Sequence, residues 1–160
     1  MGWIKTLLLL IVAFGVCVLL IGAFTGAGGS DNPIAGNWYD VEEGTGYCNL
    51  EFYENGLGTA YVHYDKGVLS ASDYGLSGYL KTTTFDFQYT KIGEKVYSAK
   101  CVSVYAESYT GQNTYISKSE FPGLDMGTFE IKQAGKYQRN LIWTLGDDEP
   151  DILKRGTYAP

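Results

Sequence analysis

Hydrophobic and polar side chains alternate in short runs through most of the chain between residues 34 and 160. In residues 80–90, Phe85, Phe87 and Tyr89 occupy every second position, with polar residues between them. A period of two places alternate side chains on opposite faces, so this run predicts a strand with one buried face. Short runs of this kind predict strands at residues 36–42, 46–54, 57–64, 80–90, 95–106, 128–133, 137–145 and 151–158.

Turn signals separate these runs and join neighbouring strands closely. Asn55-Gly56 is typical of a two-residue hairpin turn, because both residue types tolerate the positive φ of a type I′ turn. Residues 68–79 are predicted to form a loop or a short irregular strand, and residues 107–127 a long, partly ordered connection. Short strands joined by tight turns predict an all-β, antiparallel, up-and-down barrel of about seven or eight strands.

The N-terminal part of the chain has a different pattern. Residues 1–5 end in Lys5, and residues 6–24 form a 19-residue run without charge. A secretory signal has an apolar core of about 7–15 residues, whereas a spanning helix needs about 20. The run therefore predicts one transmembrane signal-anchor helix, with a cleaved signal peptide as the alternative. Residues 25–33, rich in glycine, are predicted to be a flexible linker.

The flanking charges predict the orientation of this segment. Lys5 precedes the apolar run and Asp31 follows it, which places residues 1–5 in the cytoplasm and residues 34–160 on the extracytoplasmic side. We therefore expect a single-pass protein of the cell membrane, whose domain is secreted if the N-terminal segment is cleaved.

Charge excludes some classes of partner. The chain has 18 acidic and 12 basic residues, a formal net charge of −6, and the basic residues form no cluster along the sequence. This balance argues against binding to nucleic acid and against docking on anionic lipid. The sequence does not indicate a particular protein partner.

Gly36-Asn37-Trp38 resembles the G-x-W signature on the first strand of lipocalins and lipocalin-like (calycin) barrels. In that family the tryptophan closes one end of the barrel, and an arginine from the end of the chain packs across it in a cation–π contact. The resemblance implies that Gly36, Trp38 and Arg155 form a barrel-closing motif. The chain departs from the family in two respects. Ser72-Asp73-Tyr74 is similar to the second family motif but comes too early, and the last predicted strand is not followed by a helix.

Aromatic side chains are the candidates for a ligand site. In an eight-stranded barrel the inward side chains either fill the interior or leave room for one small ligand. We expect a membrane-tethered, non-catalytic, lipocalin-like module that binds a small apolar or aromatic ligand. The alternative is a structural or protein-interaction module at the cell surface with a filled core. The cavity candidates are Phe52, Phe85, Phe87, Tyr89, Phe129 and Trp143.

Catalytic and metal chemistry have little support in the sequence. His63 is the single histidine, and the chain has no Gly-x-Ser-x-Gly elbow, so we expect neither an enzyme nor a cofactor. The acidic residues at 147–151 do not have EF-hand spacing and are interpreted as a solvated turn rather than a metal site. Cys48 and Cys101, the cysteines outside the apolar run, form either a disulfide or two buried free thiols.

Overall fold

The computed structural model describes residues 32–116 and 124–160. The predicted segments 1–5 and 6–24 and almost all of the linker 25–33 lie outside these residues. No helix in the described part of the chain is long and apolar enough to cross a membrane. The described residues form a short 3₁₀ helix (Ser72–Tyr74) and the strands β1 (Gly36–Glu42), β2 (Gly46–Phe52), β3 (Leu57–Tyr64), β4 (Leu80–Lys91), β5 (Val96–Ser108), β6 (Asn113–Ile116), β7 (Leu124–Gln133), β8 (Arg139–Thr144) and β9 (Asp151–Arg155).

Eight of these strands close into a barrel. Strands β1 to β5 pair in sequence, β5 then pairs with β7, and the order continues through β8 and β9. β9 pairs back onto β1, with Trp38 opposite Arg155, and every pairing is antiparallel. The prediction of an all-β antiparallel barrel is therefore confirmed. Closure satisfies the backbone hydrogen bonds of strands that would otherwise have open edges.

β6 and β7 occupy successive stretches of the same side of β5. β6 pairs with the second half of β5, where Ile116 is opposite Val104, and β7 pairs with the first half, where Leu124 is opposite Cys101. The prediction that residues 107–127 form a connection was therefore wrong for β6 and for the start of β7. β6 forms a hairpin with the end of β5, where Asn113 is opposite Glu107, and β7 pairs with residues more than 20 positions earlier. Local glycine and turn signals report neither pairing.

The predicted strand bounds were most accurate for β1 and β3, which match residues 36–42 and 57–64. The last strand ends at Arg155 rather than at residue 158. Gly156 leaves the ladder with a φ of 125°, and its backbone N–H donates to the carbonyl of Asn37 at 2.9 Å. Residues 157–160 therefore leave the barrel wall instead of extending it.

Alternation places the apolar side chains inside. In β2 every second residue is buried, including Cys48, Leu50 and Phe52. The connection between β3 and β4 adds Ala71, Tyr74 and Leu76 to the core, so it covers one end of the barrel. We call this the far end. The other end, where β1 begins at Gly36 and β9 ends, is called the Trp38 end.

Candidate functional site

The Trp38 end is closed by Trp38 of β1 and Arg155 of β9, which are distant in sequence. The guanidinium carbon of Arg155 lies 4.7 Å from the centre of the fully buried Trp38 ring, and the Arg155 Nη2 donates to the carbonyl of Ala35 at 2.5 Å. The Trp38 Nε1 donates to the carbonyl of Ile34 at 2.8 Å. Burial and the nearby charge of Arg139 lower the pKa of Arg155. The expected motif residues Gly36, Trp38 and Arg155 are thus in one place.

Gly36 provides the space for this arrangement. A Cβ at position 36 would lie 2.6 Å from the Arg155 Nη2, and the backbone has a φ of 108°. Both facts disfavour any other residue here, because a φ in this range is strained for residues that have a Cβ. The motif therefore has a glycine at position 36 because a side chain there would displace the Arg155 guanidinium.

The six cavity candidates are all buried, and five of them form one continuous set of ring contacts. The Phe52 ring lies 5.1 Å from Phe87 and 5.2 Å from both Tyr89 and Phe129, in edge-to-face arrangements. Phe129 in turn stacks on Trp143 at 5.4 Å. Phe85 is fully buried, and its β3 partner is Ala60. A ligand bound among these five rings would have to separate rings that are in contact.

One polar atom inside the aromatic set has no hydrogen-bond partner in the described part of the chain. Tyr97 is 1% exposed, its ring lies 6.0 Å from Tyr89, and its hydroxyl is unpaired. The Tyr89 hydroxyl, in contrast, donates to the Tyr53 carbonyl and accepts from the Asn32 side chain at 2.7 Å. A buried hydroxyl without a partner costs about 1–3 kcal/mol. The Tyr97 hydroxyl is therefore a polar group of the interior that a ligand or water would satisfy.

Cys48 and Cys101 are free and buried, which is the second of the two alternatives that the sequence left open. Cys48 lies on β2 and Cys101 on β5, which are not neighbouring strands. Burial raises the pKa of the Cys101 thiol to about 12 and also raises the pKa of Cys48. Since the thiolate is the reactive form, neither residue is suited to nucleophilic chemistry.

The outer face of β1 to β3 carries an aromatic cluster that the sequence reasoning did not single out. The Tyr47 ring stacks on His63 at 5.1 Å and lies 5.1 Å from Tyr158 and 6.1 Å from Tyr61. Tyr158 also stacks on Tyr39 at 6.2 Å. We call these five residues the outer aromatic cluster. It places His63 in a half-buried position on the outer wall, stacked on Tyr47.

Tyr158 joins this cluster because its backbone is fixed to β2. The Asn49 side chain accepts from the Tyr158 N–H at 2.8 Å and donates to the Tyr158 carbonyl at 3.1 Å. Asn49 points outward because its neighbours Cys48 and Leu50 point inward. A single amide therefore fastens the C-terminal segment across the outside of the barrel.

A cleft of about 360 Å³ opens beside the outer aromatic cluster toward the far end. Tyr47, His63 and Tyr158 line it together with the turn between β1 and β2. The residues of the described chain that line it include three acidic side chains, Glu42, Glu43 and Asp65, and no lysine or arginine. The cleft thus combines aromatic rings with negative charge, which suits a cationic group.

Carboxylates also gather on the inner side of this end. Burial, and then the charges of Asp40, Glu42 and Asp148, raise the pKa of Asp151 to about 6. Burial also raises the pKa of Asp40. Within the described residues, no group of three or more histidine, cysteine or acidic side chains is arranged to hold a metal ion. The acidic turn at 147–151 therefore contributes charge to the far end.

A signal for the outer aromatic cluster was present in the sequence. Tyr47 and Tyr61 occupy the outward phase of strands whose inward phase is largely apolar, and Tyr39 occupies the outward phase of β1, opposite to that of Trp38. Large aromatic side chains at outward positions are unusual for a simple solvated face and mark candidate interaction surfaces. The contribution of Tyr158 was not visible, because it depends on the path of the chain after β9.

Comparisons with protein-family models, with curated proteins and with solved structures found no match.

Proposed function

We propose that the protein is a membrane-tethered, extracytoplasmic, non-catalytic binding module that recognises a basic segment of a protein partner through its outer aromatic cluster. The observation that carries the proposal is the juxtaposition of Tyr47, His63 and Tyr158 with three carboxylates around one cleft. Lysine and arginine side chains bind to aromatic faces by cation–π attraction and to carboxylates by charge-assisted hydrogen bonds. The cleft volume of about 360 Å³ lies at the lower end of the range of about 300–1,000 Å³ that ligand pockets have.

The packing of the interior supports an external site. The rings of Phe52, Phe87 and Phe129 contact one another, and the segment between β3 and β4 covers the far end. Tyr side chains are enriched at protein interfaces because they combine a large apolar area with a polar tip. Tyr105 and Tyr115, which are exposed and opposite each other on β5 and β6, form a second aromatic pair on the outer wall, on the far side of β4.

The lipocalin-like relationship and the cellular location belong to the same proposal. The contact of Arg155 with Trp38 and the glycine at position 36 support descent from a lipocalin-like barrel. The uncharged run at residues 6–24 supports a tether in the cell membrane, with secretion as the alternative if that run is removed.

A direct test uses the full chain in detergent micelles and a synthetic lysine- and arginine-containing peptide, titrated by calorimetry. We expect the peptide to bind, Glu43→Gln to weaken binding, and Tyr47→Ala to weaken it further. Glu43 is exposed, so Glu43→Gln leaves the fold intact. The matched controls are Glu149→Gln and Tyr79→Ala, two exposed residues that do not line the cleft.

Two results would contradict this proposal. One is equal binding of a peptide in which glutamate replaces every basic residue, since negative charge at the cleft should repel it. The other is an equal loss of binding for Tyr79→Ala and Tyr47→Ala. It would show that binding does not depend on the outer aromatic cluster.

A small apolar or aromatic ligand inside the barrel is the second candidate. The unpaired hydroxyl of Tyr97 favours it, because a polar group on such a ligand would supply the missing partner. Native mass spectrometry of the purified chain should then show a bound small molecule that Tyr97→Phe releases. A chain of unmodified mass, together with a Tyr97→Phe variant that is more stable than the wild type, would exclude this candidate.

A further inference from the structure

The two ends of the barrel carry opposite charge. The segments that form the Trp38 end hold seven basic and three acidic residues, a formal +4. The segments that form the far end hold one basic and nine acidic residues, a formal −8. These Trp38-end segments are residues 53–57, 91–96, 130–139 and 154–156, and the far-end segments are residues 42–46, 65–79, 107–113 and 145–151.

The basic residues of the Trp38 end come from separate hairpins. Lys91 and Lys95 flank the turn between β4 and β5, and Lys132, Lys136 and Arg139 belong to the hairpin of β7 and β8. All five are exposed, and the hairpins are neighbours, since the Ile131 N–H donates to the carbonyl of Lys95 at 3.0 Å. Of the three acidic residues, Glu54 and Glu94 are exposed, and Glu130 is paired with Lys132 at 3.2 Å.

Exposed apolar and tyrosine side chains stand among these charges. Ile92 is 59% exposed and Tyr137 is 88% exposed, each in a hairpin turn. The hairpin of β2 and β3 adds Tyr53 and Leu57, which are also exposed. Isoleucine and tyrosine side chains at hairpin tips, surrounded by lysine, match the composition of segments that enter the headgroup region of a bilayer.

The chain also reaches the barrel at this end. Residues 32–35 precede β1, and Asn32 hydrogen-bonds to Tyr89 at 2.7 Å beside the hairpin of β2 and β3. Only seven residues separate the apolar run that ends at residue 24 from Asn32. A link of that length spans at most about 25 Å when extended. A membrane tether at residues 6–24 would therefore hold the Trp38 end close to the bilayer.

We propose that the Trp38 end docks on an anionic lipid surface, with Ile92 and Tyr137 in the headgroup region and the lysines around them on lipid phosphates. The proposal rests on the membrane tether proposed above. Each basic residue near an anionic surface strengthens binding by about fivefold. The tether adds to this by keeping the local concentration of lipid high. The acidic far end and its cleft then face away from the membrane, toward a basic partner.

The test uses the full chain, with Cys17→Ala, in vesicles of phosphatidylcholine alone or mixed with phosphatidylglycerol. A fluorescent label is placed at Gln138→Cys beside Tyr137, or at Asp147→Cys in the far-end turn, and is quenched by lipid with a spin-labelled headgroup. Cys48 and Cys101 are buried and do not take the label. We expect quenching at position 138 in anionic vesicles, decreasing as salt is added, and none at position 147.

Charge variants identify the surface that is responsible. Lys95→Glu with Lys136→Glu should lower the docked fraction by more than an order of magnitude, about fivefold for each lysine lost. Lys66→Glu with Lys100→Glu makes the same change in net charge away from the hairpin turns of the Trp38 end. This double variant should have little effect on the docked fraction. Equal quenching of the two labels, or equal effects of the two double variants, would overturn the docking proposal.

Vesicle flotation separates this proposal from the tether. A chain that floats with both vesicle types but is not quenched at position 138 refutes docking and leaves the tether intact. A chain that floats only with anionic vesicles supports docking and refutes the tether. A chain that floats with neither refutes both.

Discussion

Arg155 and Trp38 form the contact that closes the barrel, and they are also direct partners in the ladder between β1 and β9. The Trp38 ring and the Arg155 guanidinium therefore meet across β1 and β9, the pair of strands that closes the barrel. Gly36 lies beside them with space for the guanidinium but not for a Cβ. The first and last strands are thus fixed to each other by side chains as well as by backbone hydrogen bonds.

Gly36→Ala should destabilise the fold by about 3 kcal/mol, from backbone strain and from displacement of the Arg155 guanidinium. In an Arg155→Ala background the same change should cost only about 1–2 kcal/mol, because only the strain remains. Urea unfolding of the four proteins gives the coupling energy. Gly44→Ala is the matched control, since Gly44 has a φ of 75° and open space around it. Additive effects of Gly36→Ala and Arg155→Ala would contradict the contact.

Phe52→Ala should destabilise the protein by about 3–5 kcal/mol, because it removes a ring that contacts Phe87, Tyr89 and Phe129 in a buried site. The neighbouring Tyr53 points outward and is 40% exposed, so Tyr53→Ala should cost less than about 1 kcal/mol. Chemical denaturation, monitored by circular dichroism, measures the free energy of unfolding of both variants. Similar losses of stability for the two variants would contradict the placement of the Phe52 ring in the core.

Asp151→Asn should stabilise the protein at neutral pH by about 1 kcal/mol, the effect of a pKa shift discounted for partial exposure. Folding raises the pKa of Asp151 from 3.8 to about 6, so the ionised form is less favourable in the folded chain. Between these pH values the unfolded chain releases its proton first, and wild-type stability falls as the pH rises. The charge effect should vanish below about pH 3, where Asp151 is protonated in both states, and should grow up to about pH 6.

Thermal unfolding of wild type and variant across this pH range measures the difference. Asp147→Asn is the control, because Asp147 is exposed in the preceding turn. A stability difference for Asp151→Asn that does not change with pH would show that the charge of Asp151 is not its cause.

Cys48 and Cys101 should be unreactive in the folded protein. Both thiols are buried and their pKa values are raised, so little thiolate is present and a reagent cannot reach it. In a Cys17→Ala chain, iodoacetamide should add no mass under native conditions and two groups in denaturant without reductant. If the two groups were added in denaturant only after a reductant, the cysteines would form a disulfide, which would contradict the free thiols.

Much of the fold followed from alternation. The period of two in residues 46–52 and 80–90 identified the strands and their inward residues, and the inward phase correctly contained Phe52, Phe85 and Phe87. Alternation failed for the short strand Asn113–Ile116, which forms a hairpin with the end of β5. A four-residue strand has too short a pattern to be distinguished from a loop, and its conformation is set by pairing.

The proposed surfaces were less visible. The outer tyrosines of β1 to β3 had the correct phase in the sequence, but Tyr158 reaches them only because Asn49 holds its backbone. The basic residues of the Trp38 end are spread over residues 91–155 and form no run. The sequence argued against docking on anionic lipid because it contains no such run. That argument does not account for basic residues that barrel closure brings together.

The sequence by itself determined the local properties of this protein: an uncharged 19-residue run, strands with one apolar face, tight turns, and a Gly-x-Trp motif with a distant arginine. The reason is that side-chain direction in a strand depends only on residue parity. The tertiary structure alone decided which rings touch inside the barrel, where the C-terminal segment lies, and how charge divides between the two ends. These properties depend on barrel closure and on which hairpins become neighbours, and no short window of sequence contains that information.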